Sequence, residues 1–402
     1  MFRLLYVHES FGNLGGAEAN VLITATELQR RGVTVGLWTR RATGKGEEKW
    51  RALFGEHVFY EAECDLATVR TRFSPQVAYV HKWDHLPTLE ALVESDLPLA
   101  RMVHDHDIYC LRSYRYHPLT RKVCHRPASG YCVFPCLAPI KRDRSGGFPI
   151  KWVSYFDKLR ELALTRRFDR MFVVTHYMQH ELEINGFASE KIEIFPPVPR
   201  PGDPLESSFS ERNLILYAGQ IIRGKGVDLL LRALARLERP FEAVILGSGN
   251  HQAACEKLCR ELGLQDRVRF PGFIPQEELK GYYRDASVVA VSSVWPEPIA
   301  TIGLEVMRYG LPVVAFDAGG IPDWLHDGET GRLVPWGDVP AFARAIDGLL
   351  ADKSLARRLG AQGRTYVNKH YDFEDYLERL TRTLGGLAVA ETPLANAESD
   401  SA

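Results

Sequence analysis

Short apolar runs separated by helix-length segments recur along the whole chain, and that alternation leaves few folds open. In the first half they fall at 4–8, 34–38, 77–80, 99–104, 171–175 and 192–195. In the second half they fall at 214–218, 242–246, 268–270, 288–292, 313–316 and 331–334. Strands in this rhythm, joined by helices of about 10–15 residues, form parallel sheets with helices on both faces. The rhythm breaks at Pro196-Pro-Val-Pro-Arg-Pro-Gly-Asp-Pro204, which continues neither a helix nor a central strand. At 402 residues the chain is too long for one hydrophobic core. Two doubly wound units are expected, over 1–197 and 208–370, joined by a linker over 198–207. Ligands of such sheets bind at the strands' carboxyl ends, so two facing sheets put a site in the cleft between them.

Composition narrows the class further. With 45% hydrophobic and 25% charged residues and a net charge of −1, the chain reads as an ordinary globular protein. It has no run of about 18 uncharged apolar residues. The opening Met1-Phe-Arg-Leu-Leu-Tyr-Val-His8 reads as a first strand rather than a signal peptide. Seven cysteines in a chain of this size do not suggest a secreted disulfide framework. A cytoplasmic enzyme is the expectation. The polar tail over 388–402 is expected to be disordered.

The most informative stretch is Trp295-Pro-Glu-Pro-Ile-Ala-Thr-Ile-Gly-Leu-Glu305 with its continuation to Asp323. A buried strand precedes it, a proline-flanked turn follows, and a helix is expected from about Ala300. A helix N-terminus at the carboxyl end of a parallel strand offers free amides and a positive dipole to a phosphate. Glu297 before the helix and Glu305 inside it can accept hydrogen bonds from ribose and sugar hydroxyls. Such a site suits a nucleotide-sugar.

The pair Glu297 and Glu305, with Gly310-Leu-Pro and Gly319-Gly320 behind it, resembles the paired-glutamate motif of retaining GT-B glycosyltransferases of family 4. The resemblance implies a GT-B fold, two Rossmann-like sheets facing across a cleft, and a helix over 371–387 that crosses back to the first unit. It implies a catalytic, sugar-contacting role for Glu297 and a ribose role for Glu305. The amides of Ala300, Thr301 and Ile302 would hold the diphosphate. Two positions depart from the pattern: Ile299-Ala300 replaces the usual Phe-Gly, and Asp323 stands where glutamate is usual. Neither removes a donor amide or a carboxylate.

Further contacts follow by the same resemblance. Lys225 in Gln220-Ile-Ile-Arg-Gly-Lys-Gly226 matches the family lysine that meets the diphosphate, a compact cation at a helix entry. The family's arginine position is Gln220 here, and Arg223 is the candidate replacement. Gly247, in a Gly-x-Gly turn, and Phe273 with Ile274 are expected to flank the nucleobase. In the first unit, Gly15 and Gly16 resemble the Gly-Gly-x-Glu loop near the donor phosphate. A dinucleotide fingerprint fails there on spacing. His104 matches the histidine that contacts the donor sugar. Asp105-His-Asp107 also spells an Asp-x-Asp metal motif, discounted because the helix terminus and Lys225 already supply positive potential.

Cys110, Cys124, Cys132 and Cys136 lie in an insert over 105–147 and suggest a structural Cys₄ zinc knuckle, with unliganded cysteines or disulfides as alternatives. Segment 101–170 carries fifteen Lys/Arg against six Asp/Glu. Beside Trp152, Tyr155 and Phe156 that basic surplus fits anionic headgroups or a lipid-linked acceptor at the inner face of the plasma membrane, or simply a solvated face. Nucleic acid is not expected, since no nucleic-acid module accompanies the charge.

The whole reads as a retaining, metal-independent hexosyltransferase using a nucleoside-diphosphate sugar, in glycan or surface polysaccharide synthesis. The alternatives are a GT-B nucleotide-sugar epimerase or hydrolase, and a catalytically idle GT-B scaffold that binds a partner.

Overall fold

Strand β1 (Arg3–Val7) pairs in parallel with β2 (Thr34–Thr39) on one side and with a later strand on the other, so the first sheet grows in both directions from the chain's start. The computed structural model describes residues 1–12, 15–117, 119–142, 150–197 and 209–389. The expected linker and most of the expected polar tail lie outside these residues. So do Asn13 and Leu14 of the glycine loop and Arg144 of the basic segment.

The first sheet is completed by β3 (Val58–Tyr60), β4 (Val77–Val80), β5 (Leu99–Met102), β6 (Arg170–Val173) and β7 (Ile192–Ile194), in the order β7-β6-β5-β4-β1-β2-β3. The second contains β8 (Leu214–Ala218), β9 (Glu242–Leu246), β10 (Val268–Gly272), β11 (Val288–Val291), β12 (Val313–Phe316) and β13 (Arg332–Val334), in the order β10-β9-β8-β11-β12-β13. Every pairing within both sheets is parallel. Strand order therefore reverses between β1 and β4 in one sheet and between β8 and β11 in the other, and ligands of open α/β sheets bind at such switch points.

Alternation along the second sheet explains its burial on both faces. Ile215, Tyr217, Ala243 and Ile245 belong to one apolar cluster, whereas Leu216, Val244 and Leu246 belong to another. Side chains two apart share a face, so each strand feeds two cores and reads as a continuous apolar run. Strand β3 escaped the sequence reading because it is short and its burial is incomplete.

Helix α1 (Gly16–Arg30) follows β1, and α5 (Phe373–Val389), at the other end of the chain, lies against it. Asn20 meets the Tyr376 hydroxyl at 3.5 Å, Arg31 pairs with Glu374, and Arg379 donates to the Ile194 carbonyl at 3.2 Å. The last helix therefore packs on the first sheet's layer, far from its neighbours in sequence.

The insert is held by arginines. Arg115 pairs with Glu181 with both side chains almost fully buried. Arg112 donates to the Cys136 and Leu137 carbonyls at 2.9 and 2.8 Å. Arg121 forks onto both oxygens of Asp228 at 3.1 and 2.9 Å, tying the insert to helix α3 (Val227–Leu234) of the second half.

Breaking a buried pair on one side strands a charge. Arg115→Ala should cost about 3–5 kcal/mol of unfolding free energy, and Arg115→Met with Glu181→Leu much less. Urea denaturation of both variants checks this, and equal losses would contradict it.

Candidate functional site

The turn between β11 and helix α4 (Thr301–Arg308) is built by its carbonyls. His106 Nε2 donates to Pro296 O at 2.7 Å, Gly320 N to Glu297 O at 2.7 Å, and Thr175 Oγ1 to Pro298 O at 2.8 Å. Trp324 Nε1 donates to Ile299 O at 2.6 Å, and Gly303 N to Ala300 O at 2.9 Å. Five consecutive carbonyls are thereby taken by the surrounding protein. Two of the donors, His106 and Thr175, come from the first half of the chain.

The same clamp sets the start of α4. Ala300 is its N-cap, in the left-handed region at φ 57°, with no side chain capping the helix. The first amides of any helix lack an intrahelical acceptor. Those of Thr301 and Ile302 therefore stand at the helix's positive end, where an anion is favoured.

Lys225 and Glu297 meet at this point. Lys225 Nζ lies 2.6 Å from Glu297 Oε1, and the Ser293 hydroxyl donates to the same oxygen. Glu297 is 4% exposed and Lys225 23%, so the cation stays open to the cleft while the carboxylate is held inside. The ammonium also sits 5.3 Å from the centre of the Trp295 ring. Lys225 can reach this place because Gly226, at φ 65°, lets the chain turn into α3 against the β11 end. A Cβ there would stand 2.0 Å from the Ser292 carbonyl oxygen.

Glu305 lies on α4, half-buried, and accepts from the Tyr283 hydroxyl at 3.2 Å. Burial raises its carboxyl pKa, against the pull of that hydrogen bond and of Arg308. The loops after β8, β9 and β10 converge on one another. Gly247 N donates to Gly272 O at 2.7 Å and Ile221 N to Ser248 O at 2.9 Å. A Cβ on Gly247 would stand 1.9 Å from the Gly219 carbonyl oxygen. Phe273 projects from this cluster largely exposed, with Ile274 half-buried beside it. Gln220 is exposed, and Arg223 turns toward the insert, where it donates to Leu119 O at 3.0 Å.

In the first half, Gly15 is the N-cap of α1, and Gly16 is its first residue. His8 Nε2 lies 3.2 Å from Glu18 Oε1 in that helix's first turn. Burial works against the Glu18 charge, but the His8 contact and local amides win, holding its pKa down at about 2. His81 Nδ1 lies 2.8 Å from His104 Nε2, so one of the two rings donates and the other accepts. Burial drives His104 down to about 3 and His81 well below its ordinary value. Two residues on, His106 accepts from the Tyr109 hydroxyl at 2.7 Å while donating to Pro296 O, and burial lowers it to about 4.

Sequence reasoning assigned no role to His106, Thr175, His176 or Ser293. His106 was visible only as the middle of an Asp-x-Asp triplet. Asp105 and Asp107 instead bracket Lys82, at 2.6 and 3.5 Å. His176 meets Asp323, Nδ1 to Oδ2, at 2.9 Å. Asp323 thus supplies the carboxylate at the place where the resemblance expects a glutamate.

The four insert cysteines are free thiols. Burial raises the Cys132 thiol, and Cys110, Cys136 and Cys124 nearby raise it further. Among the described residues no group of three or more His, Cys, Asp or Glu side chains is placed to hold a metal ion. Six of the fifteen basic residues of segment 101–170 pair with carboxylates. Arg101 and Lys158 pair with Glu161, Arg115 with Glu181, Arg121 with Asp228, Arg160 with Glu90, and Arg170 with Glu193. No helix among the described residues is long and apolar enough to cross a membrane.

The buried neutral histidines carry a pH signature. Their folded-state pKa values lie below the ordinary 6.5 of the unfolded chain, so the unfolded chain binds more protons as pH falls. Their contribution is whole above about pH 6.5 and is lost on acidification, roughly 2 kcal/mol each for His104 and His106 by pH 5. Urea unfolding at pH 7.5 and pH 5 measures it. Equal stability at the two would contradict the histidine environments.

Residues 205–366, which include Lys225, Glu297 and Glu305, match the family model described as glycosyl transferases group 1. The GDP-mannose-dependent alpha-(1-6)-phosphatidylinositol monomannoside mannosyltransferase of Mycolicibacterium smegmatis is 32% identical over 185 residues, 44% of this chain and 48% of that protein. The chain spans about half the length of this relative. The D-inositol 3-phosphate glycosyltransferase of Nocardia farcinica is 29% identical over 379 residues, 87% of this chain and 80% of that one. Among solved structures, Anabaena HepE in complex with UDP and glucose superposes with a TM-score of 0.71 at 18% identity, over 96% of this chain and all of that one. Sucrose-phosphate synthase from Thermosynechococcus elongatus gives 0.69 at 18%, over 97% of this chain and all of that one. At such identities the likeness is one of fold. Residues 205–366 are therefore similar to group 1 glycosyltransferases, and the chain as a whole has the GT-B fold.

Proposed function

We propose that the chain is a retaining glycosyltransferase that moves a hexose-type sugar from a nucleoside-diphosphate sugar to an acceptor hydroxyl without a catalytic metal, in glycan or surface polysaccharide synthesis. The observation that carries this reading is the contact of Lys225 with Glu297 beside the uncapped start of α4, at the second sheet's switch point.

Negative charge grows on the leaving diphosphate as the glycosidic bond breaks. A fixed cation and preorganised amides stabilise that charge most where water is excluded. In this reading Lys225 and the Thr301 and Ile302 amides bear it. Glu297 and His104 take hydroxyls of the donor sugar, and Glu305 takes the ribose. No side chain is assigned as a covalent nucleophile. The acceptor attacks from the face the diphosphate leaves, the phosphate oxygen takes its proton, and the configuration is kept. The rate then rests on orientation and electrostatics.

Relatives and neighbours differ in the nucleotide their names carry, GDP in one and UDP in another. Melting shifts with UDP, GDP and ADP identify the base for this chain. Glu297→Ala should fold, keep nucleotide binding and lose most turnover, on the order of a hundredfold or more. Retained turnover would remove Glu297 from the reaction. Product analysis without acceptor separates transfer from hydrolysis or epimerisation, and activity in chelator tests the absence of a metal.

His106 acts in this scheme as a positioning residue. His106→Phe leaves the Pro296 carbonyl without its donor and loosens the turn that aims Glu297. The expected result is about a tenfold fall in kcat with KM nearly unchanged. A change confined to KM would place His106 in binding instead.

A further inference from the structure

A polar cleft of about 740 Å³ lies wholly in the first half, at the carboxyl ends of β1, β2, β4 and β5. His104 lines it, so it adjoins the residue assigned to the donor sugar.

Among the described residues the cleft is lined by six carboxylates and four cations, and each cation is already engaged. Lys82 is bracketed by Asp105 and Asp107 at 2.6 and 3.5 Å. Arg40 meets Asp84 at 3.2 Å and Glu61 at 3.7 Å. Arg101 meets Glu161 at 3.3 Å and also donates to Thr165 and to the Trp83 carbonyl. Lys158 pairs with Glu161 and donates to the Asp107 carbonyl at 2.6 Å.

Helix α2 (Tyr155–Thr165) points its N-terminus here, but that anion position is filled. Ser154 Oγ accepts from Asp157 N at 3.1 Å, and the Asp157 carboxylate lies in the first turn. A phosphate monoester entering the cleft would find no unengaged cation among these residues and would meet excess negative charge. Hydroxyls, by contrast, are what carboxylates accept from. One wall is the indole of Trp152, 69% exposed, a flat apolar surface of the kind that covers the C–H face of a pyranose.

Resting on the transferase reading above, we infer that this cleft is the acceptor site and that it selects an uncharged glycosyl residue over a phosphorylated sugar or inositol phosphate. Asp105, Asp107 and Glu9 take the acceptor hydroxyls and Trp152 stacks on its ring.

The test is ligand-observed NMR on the full chain, with methyl glucoside, methyl mannoside and methyl galactoside as neutral probes. Glucose 6-phosphate, mannose 6-phosphate and inositol 3-phosphate are the charged ones. At least one neutral glycoside should bind about tenfold better than its phosphorylated counterpart. Trp152→Ala, at an exposed position, should weaken that binding by a similar factor. Asp107→Asn should narrow the gap between neutral and charged probes. Phosphorylated probes binding as well as neutral ones, or no neutral glycoside binding at millimolar concentration, would overturn the inference. UDP and GDP binding, read in the same samples, reports on the second half. Loss of nucleotide binding with glycoside selectivity intact counts against the transferase reading and leaves the cleft's preference standing.

Discussion

Everything at the centre of this molecule depends on how the carbonyls of residues 296–300 are satisfied. A turn lined by backbone oxygens would repel a diphosphate. Here each oxygen is turned into protein and bonded: to an imidazole, a glycine amide, a hydroxyl, an indole and an amide of the following helix. The buried oxygens need donors because an unmet one costs about 1–3 kcal/mol. Meeting that need leaves the positive end of α4 facing the cleft. The left-handed backbone at Ala300 is consistent with a chain whose path is dictated from outside, since such a conformation in a non-glycine residue persists only where its surroundings hold it.

Two of those donors come from the other half of the chain, so the halves are joined at the site itself. Thr175 shows the economy of the arrangement. Its hydroxyl accepts from Met178 N, capping helix His176–Ile184, and donates to Pro298 O. His106 likewise uses both nitrogens, one toward Tyr109 and one toward Pro296. Kept neutral by burial, it has one tautomer that fits, with the proton on the nitrogen facing the carbonyl. Rigid-body movement between the halves would break contacts one residue away from Glu297.

The fold was largely legible because strands buried on both faces read as plain apolar runs, and twelve of the thirteen sheet strands start within one residue of a run's start. Those runs exposed the switch points, and with them Lys225 and Glu297 on neighbouring strand ends. What stayed hidden is long-range. Nothing near His106 in sequence announces Pro296, 190 residues away. The anchors of the insert stayed hidden for a related reason. Its four cysteines draw the eye in sequence, whereas the arginines that hold the loop have partners, Glu181 and Asp228, far along the chain. A count of charges likewise says nothing of which are already paired, as six of the basic residues in 101–170 are.

Pairing also divides the electrostatics of the cleft. In the second half the end of α4 is positive, and Lys225, itself paired with Glu297, stands beside it and keeps part of its surface exposed. In the first half, Lys82, Arg40, Arg101 and Lys158 are all drawn onto carboxylates, and carboxylates remain in excess. A nucleotide-sugar straddling the halves would place its diphosphate on the positive side. Its uncharged sugar would lie toward the histidines, which burial keeps neutral. Charge thus runs from positive through neutral to negative. That order favours a bound donor in one direction only, phosphate toward Lys225 and sugar toward His104. On the transferase reading, the reacting carbon would then face whatever the acidic cleft holds.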